Sequence, residues 1–186
     1  MIGFALCGSF CTVRTALVEM ERLCAVNEVQ GIVSETVFAT DTRFARAADV
    51  IEEIGQITGK PVIHSIVEAE PLGPRVPLDA LIICPCTGNT LAKMANGITD
   101  TAVTMAAKAH LRSDRPLVIA LASNDALSSN LKNIGALLTR KNVYFVPMRQ
   151  DDPKDKPHSL VADFGKLQET LEAALKGKQY QRLFQI

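Results

Sequence analysis

Short polar residues collect at three places in this 186-residue chain where an apolar run stops. Leu81-Ile82-Ile83-Cys84-Pro85 passes into Cys86-Thr87-Gly88-Asn89-Thr90, Phe4-Ala5-Leu6-Cys7 into Gly8-Ser9-Phe10-Cys11-Thr12, and Val118-Ile119-Ala120-Leu121 into Ala122-Ser123-Asn124-Asp125. A continuous apolar run reads as a buried parallel strand, and the turn at its carboxyl end aims backbone N–H groups and short side chains at an anionic or planar ligand. A Gly-Ser turn that opens a helix offers N–H groups, a hydroxyl and the positive helix end, which suit a single phosphate ester. The same residues also serve as ordinary helix caps. Ser34 closes a further apolar run and adds a hydroxyl. Gly88 permits close backbone approach to a ring, and Asn89 presents both a donor and an acceptor. Ser123 and Asn124 carry the same double reading, with Ser123 or Asp125 also placed to cap the helix that follows. The residues expected around one crevice are therefore Gly8, Ser9, Phe10, Thr12, Ser34, Cys86, Thr87, Gly88, Asn89, Thr90, Ser123 and Asn124. The first turn is not GxGxxG, and no acidic residue follows the second run where a ribose hydroxyl would be held, so a dinucleotide is not expected in this chain.

Other reactive side chains are scattered. His64, His110 and His158 fall in an edge segment, a helix end and a polar loop, and the catalytic residues stay unassigned. Cys7, Cys11, Cys84 and Cys86 end neighbouring runs, but CxxxC with CxC is not a usual zinc framework, and no metal site is expected. Five cysteines, an odd number without repeating spacing, predict free thiols in a reducing cytoplasm.

For the polar turns to meet, the runs at 2–7, 29–34, 80–84, 117–121 and 143–147 must lie side by side. The segments between them are of helical length and pattern, which predicts a three-layer Rossmann-like α/β fold with a mainly parallel sheet, one domain over 1–186 with a tail from about residue 177. Val13, Ala16, Leu17, Met20 and Leu23 recur at helical spacing after Thr12, a natural N-cap. Phe44, Ala47, Ala48, Ile51, Ile54 and Ile57 predict a second helix that Gly55 and Gly59 end. Further helices are predicted over 89–96, 101–111, 127–139 and 164–175. Pro61-Val62-Ile63 reads as a short edge strand, and residues 69–79, with three prolines and a glycine, as an irregular excursion. The charged segment 150–157 reads as a solvated connector, long enough also to cover a site or meet a partner. Strand order 3-2-1-4-5-6, or 2-1-3-4-5 without the edge strand, puts the ligand crevice between the first strand and that at 80–84.

Lys+Arg and Asp+Glu both number 20, so no basic field exists to hold a nucleic acid. The apolar first residues lack a basic flank and are too short for a span, so neither an export signal nor membrane attachment is expected.

The segment Pro85-Cys86-Thr87-Gly88-Asn89-Thr90-Leu91-Ala92-Lys93-Met94-Ala95-Asn96-Gly97-Ile98-Thr99-Asp100 resembles the PASANT-type flavin motif of the flavoprotein family of FMN-binding cysteine decarboxylases. A narrower resemblance, in segments 68–74, 105–109, 123–127 and 150–153, is to members of that family that form one component of a two-subunit synthase. Together these stretches extend over about residues 2 to 175. The resemblance implies bound FMN near subunit contacts and assembly into trimers or multiples of them. It also implies a partner subunit carrying NAD(P) and a small dicarboxylate substrate oxidised to an aromatic ring during sporulation. Arg43, Arg75 and Lys93 are candidates to meet the substrate's carboxylates. Two departures matter. Cysteine decarboxylases carry a His shortly after strand two, and Ser34-Glu35-Thr36-Val37-Phe38-Ala39-Thr40 has none; their Pro-Ala-Met-Asn appears here as Leu121-Ala122-Ser123-Asn124. Decarboxylation of a peptidyl cysteine is therefore not carried over. Another FMN-dependent activity of the family, or a scaffold subunit with a degenerate flavin pocket, stand as alternatives.

Overall fold

Residues 1–185 are described by a computed structural model. In chain order the elements are β1 (Ile2–Leu6), α1 (Val13–Cys24), β2 (Val29–Val33), α2 (Glu35–Ala39), α3 (Ala47–Thr58), α4 (Ile66–Ala69) and β3 (Ala80–Cys86). They continue with α5 (Gly88–Ala95), α6 (Ala102–Leu111), β4 (Leu117–Ser123), α7 (Leu131–Leu138), β5 (Val143–Phe145), β6 (Met148–Arg149), β7 (Leu160–Ala162) and α8 (Leu167–Leu175).

Strands β2, β1, β3, β4 and β5 are parallel neighbours in that order, the 2-1-3-4-5 arrangement expected from the sequence. Ile63 makes only a single parallel bridge to Ile32, so the expected edge strand at 61–63 is one pair long. Side chains alternate across the sheet. Leu81 and Ile83 of β3 join Leu91 and Met94 of α5, Val103 and Ala106 of α6, and Ile134 and Leu137 of α7. Ile82 and Cys84 join Leu17 and Met20 of α1, Val50 and Ile54 of α3, and Leu171 of α8 on the other face. Every residue of β1, β3 and β4 is buried. Each fully buried Leu or Ile contributes roughly 1.5–3 kcal/mol, and a helix layer on both faces is what makes continuous apolar strands stable.

The elements differ from the sequence reading where a side chain captures backbone N–H groups. The second expected helix begins at Ala47, not at Phe44. The Thr42 hydroxyl accepts from the N–H groups of Phe44 (3.2 Å) and Ala45 (3.4 Å), and Asp41 accepts from that of Ala47 (2.8 Å), holding a turn ahead of it. Its far end is as expected, with Gly59 left-handed at φ 66°. The helix expected over 127–139 starts only at Leu131, because the Asp125 carbonyl accepts from Ser128 (3.2 Å) and Asn130 (3.1 Å) and keeps 124–130 in turns. The strand expected over 143–147 stops at Phe145, just before Pro147, which has no N–H. The chain then returns as an antiparallel ribbon that the sequence pattern does not announce. β7 pairs antiparallel with Ala122 and Ser123 at the carboxyl end of β4, and β6 pairs with β7. Helices α2 and α4 are likewise unexpected; α4 is fixed by a capping box between Ser65 and Glu68.

Candidate functional site

The sheet reverses direction of growth between β1 and β3, and the turns leaving these strands line an open cavity of about 310 Å3. Its walls are Cys7 and Gly8 after β1, Ser34, Glu35 and Thr36 after β2, Thr87, Asn89, Thr90 and Lys93 after β3, and Thr101. The two central turns are tied together directly, since the Cys7 N–H donates to the Pro85 carbonyl at 3.1 Å. Such a volume lies at the lower end for small-molecule sites.

Each wall has a local cause. The Thr87 hydroxyl caps α5 by accepting from the Thr90 N–H at 3.3 Å. The first N–H groups of α5, at Gly88 and Asn89, have no acceptor within the helix. The Ser34 hydroxyl caps α2 by accepting from Val37 at 3.4 Å, which turns Glu35 and Thr36 into the cavity wall. The Thr90 hydroxyl donates to the Cys7 sulfur at 3.2 Å. The Asn89 side chain makes no hydrogen bond to the described residues, so its amide is available to a ligand. Lys93 donates to both carboxylate oxygens of Asp100 at 2.9 Å, and its side chain is 23% exposed.

The other expected site residues lie elsewhere. Cys86 is buried in the apolar cluster beneath α5. Phe10 packs into a small pocket with Val37 and Phe44. Ser9 and Thr12 bond to one another: the Thr12 hydroxyl donates to the Ser9 carbonyl (2.9 Å) and hydroxyl (3.0 Å), so Thr12 precedes α1 without capping it through its side chain. Thr12 faces a separate cleft of about 650 Å3, walled also by Arg149, Asp151, Asp163 and Phe164, so the 150–157 segment walls a cleft away from the first cavity.

The third turn does not open into the β1/β3 cavity. The Ser123 hydroxyl donates to Asp125 at 2.5 Å, and the Asn130 amide donates to both oxygens of the same carboxylate at 3.0 and 2.9 Å. Ser129 adds a further bond and Asn133 donates to the Asn130 oxygen. The Ser123 hydroxyl, followed by the Asn130 amide, holds the Asp125 carboxyl below the usual range. Neither Ser123 nor Asp125 caps α7. Asn124 is exposed and lines neither cavity. Gly88 sits between the two regions. A Cβ there would fall 2.5 Å from Ser123 Oγ, 2.6 Å from Asn130 Nδ2 and 2.8 Å from Asp125 Oδ1.

Burial pushes the Cys7 thiol up to about 11 against the pull of its Thr90 and Thr87 bonds, and it drives Cys84 and Cys86 up as well. These groups stay protonated near neutrality and are poor ligands or nucleophiles. Among the described residues no group of three metal-ligating side chains comes together. His64 stacks on Phe38 with ring centroids 3.8 Å apart. His110 is fully buried beside the Pro116 carbonyl, 2.9 Å from Nε2, and burial lowers its pKa. Of the proposed cations only Lys93 reaches the cavity, while Arg43 lies over the Phe44 ring and Arg75 is exposed.

Residues 1–175 match the profile of the Flavoprotein family. The chain belongs to the flavoprotein family. Within it, the chain is 46% identical over 183 residues to the B subunit of dipicolinate synthase of Bacillus subtilis (strain 168), covering 97% of this chain and 90% of that protein. The crystal structure of the dipicolinate synthase B subunit from Bacillus halodurans C superposes with a TM-score of 0.91 at 47% identity, covering 100% of this chain and 95% of that one. The FMN-dependent cysteine decarboxylase SpaF shares the flavoprotein fold at a TM-score of 0.68 and 22% identity, over 93% of this chain and 95% of its own. Cys7, Glu35, Thr36 and Thr101 are cavity residues that the sequence reading passed over. The signal for Glu35 and Thr36 was present, since Ser34 followed by Glu35 is a helix start.

Proposed function

We propose that the β1/β3 cavity holds FMN and that the chain acts as the B subunit of a dipicolinate synthase, together with the A subunit of that enzyme, in the mother cell of a sporulating bacterium. The observation that carries this reading is the cavity lining: hydroxyls from Ser34, Thr36, Thr87, Thr90 and Thr101, an unengaged Asn89 amide, Lys93 paired with Asp100, and the Glu35 carboxylate. That set fits a phosphorylated ring. The N–H groups opening α5 and the Ser34 and Thr36 hydroxyls suit a phosphate ester, and the Asn89 amide can read the donor and acceptor edge of a flavin. A bound flavin would supply a two-electron acceptor for hydride removal. The chain's own residues bind and orient it and narrow the access of water. Aromatising a dihydrodipicolinate-type ring removes one hydride and one proton, with NAD(P) on the A subunit as the partner redox group.

Assembly into trimers or a multiple of them accords with a cavity left open on one side. The Ser123–Asp125–Asn130 network favours a second reading. The turn that replaces the wider family's Pro-Ala-Met-Asn is here closed on itself, as in a scaffold that docks the A subunit without taking part in the chemistry.

The test is to purify the chain, add FMN and follow the flavin absorbance bands, then assay dipicolinate formation in the presence of the A subunit. Stoichiometric flavin and a rate that depends on it are expected. A colourless protein that still stimulates its partner would establish the scaffold reading, and one that does neither would end both.

A further inference from the structure

On the α5/α6/α7 face, away from the β1/β3 cavity, lies a second pocket of about 200 Å3, open to solvent on one side. Met94, Leu111, Leu117 and Leu137 form its apolar floor, the turn at Gly97, Ile98 and Thr99 forms one wall, and Lys108 and Arg140 stand at its mouth. Both cations are exposed, and no carboxylate of the described residues lies within 4.0 Å of either. An apolar floor with two unneutralised cations at the rim is complementary to an occupant with an apolar body and an anionic edge. The volume admits one ring.

We infer that this pocket binds a small aromatic carboxylate and that its occupancy is coupled to the β1/β3 cavity. The link is covalent and short. The Gly97–Thr99 turn leads directly to Asp100, which holds Lys93 at the other cavity. Gly97, at φ 72°, gives the turn a left-handed residue at its start. A ring packed on Ile98 restrains that turn, and with it the carboxylate that positions Lys93. The coupling rests on the reading that flavin occupies the first cavity; the binding site does not.

Titration of the flavin-free full chain with benzoate and with dipicolinate, followed by calorimetry, tests the site. At least one should bind with a Kd below about 1 mM. Replacing both cations (Lys108→Gln with Arg140→Gln) should weaken it by roughly 10-fold, as for loss of charge-assisted bonds. Ala107→Leu, at a buried lining residue, should also exclude the ring; the surface double variant keeps the test valid if Ala107→Leu does not fold. Absence of binding by both acids overturns the site. So does binding that ignores the double variant or is lost instead in Lys93→Gln, which would put the acid in the first cavity. Saturating benzoate should change the FMN dissociation constant by about 5-fold, a typical coupling between two sites. An unchanged FMN constant with benzoate bound removes the coupling and leaves the site. Failure of FMN to bind under any condition counts against the flavin reading, while the direct titration still decides the pocket.

Discussion

The turn after β3 and the turn after β4 are built from nearly the same residue types, Thr-Gly-Asn-Thr in one and Ser-Asn-Asp in the other, and they behave oppositely. The first presents Thr87, Asn89 and Thr90 to a cavity. The second folds its polar atoms inward onto Asp125. The difference is one carboxylate placed two residues after Ser123, which accepts from a serine and an asparagine before any ligand can. Burial alone does not separate the turns: Ser123 and Asn130 are 8% and 5% exposed and find their partner in Asp125, while Thr90, also 5% exposed, donates to Cys7 in a turn that still lines a cavity. Hydroxyl-rich strand ends therefore mark where a ligand could bind, and the nearest internal acceptor decides whether it does.

Gly88, packed between the two turns, gives the sharpest way to break this contrast. Gly88→Ala places a methyl group within 3.0 Å of three atoms of the Asp125 network. We expect a loss of about 3 kcal/mol in denaturant unfolding, together with loss of flavin binding, because the start of α5 must move. A variant that keeps both stability and flavin would show that the two turns are mechanically independent.

Removing the shared acceptor should separate the regions more gently. Asp125→Ala leaves the buried Asn130 amide and Ser123 hydroxyl without their partner and should cost about 2 kcal/mol, with flavin affinity retained. The pH dependence has a definite sign. The folded-state pKa of Asp125 is depressed, chiefly by the Ser123 hydroxyl, so its contribution is present above the unfolded value of about 3.9 and is lost as pH falls through the folded value. Acid unfolding of the variant should therefore be shallower below pH ~4 than that of the parent.

The smallest effect compares the two asparagines. Asn89→Ala should weaken FMN by roughly 5- to 10-fold with thermal stability unchanged, whereas Asn124→Ala should alter neither. Equal losses from both would mean that the second turn also reaches the ligand.

Most of the parallel framework was legible in the sequence, because buried central strands are continuous apolar runs and their order follows from strand and helix alternation. The crevice between β1 and β3 followed from that order. What escaped was governed by contacts distant in sequence or by very short elements. β6 and β7 have two and three residues, too few for any periodicity to register, and they exist because the carboxyl end of β4 offers a free edge. Cys86 looked like a turn residue, yet it lies on the face of β3 that points into the α5 layer. Thr12 and Phe10 sit beside Gly8 in sequence, but the short helical turn at Phe10–Thr12 rotates them towards other pockets.

The Lys93–Asp100 pair has a consequence for how any anion is held. The lysine at the cavity already donates to both oxygens of the Asp100 carboxylate behind it, and Glu35 puts a negative group in the wall itself. The cradle thus offers little surplus positive field. Retention of a phosphorylated ligand should depend on directional contacts and fit, and it should vary only weakly with ionic strength.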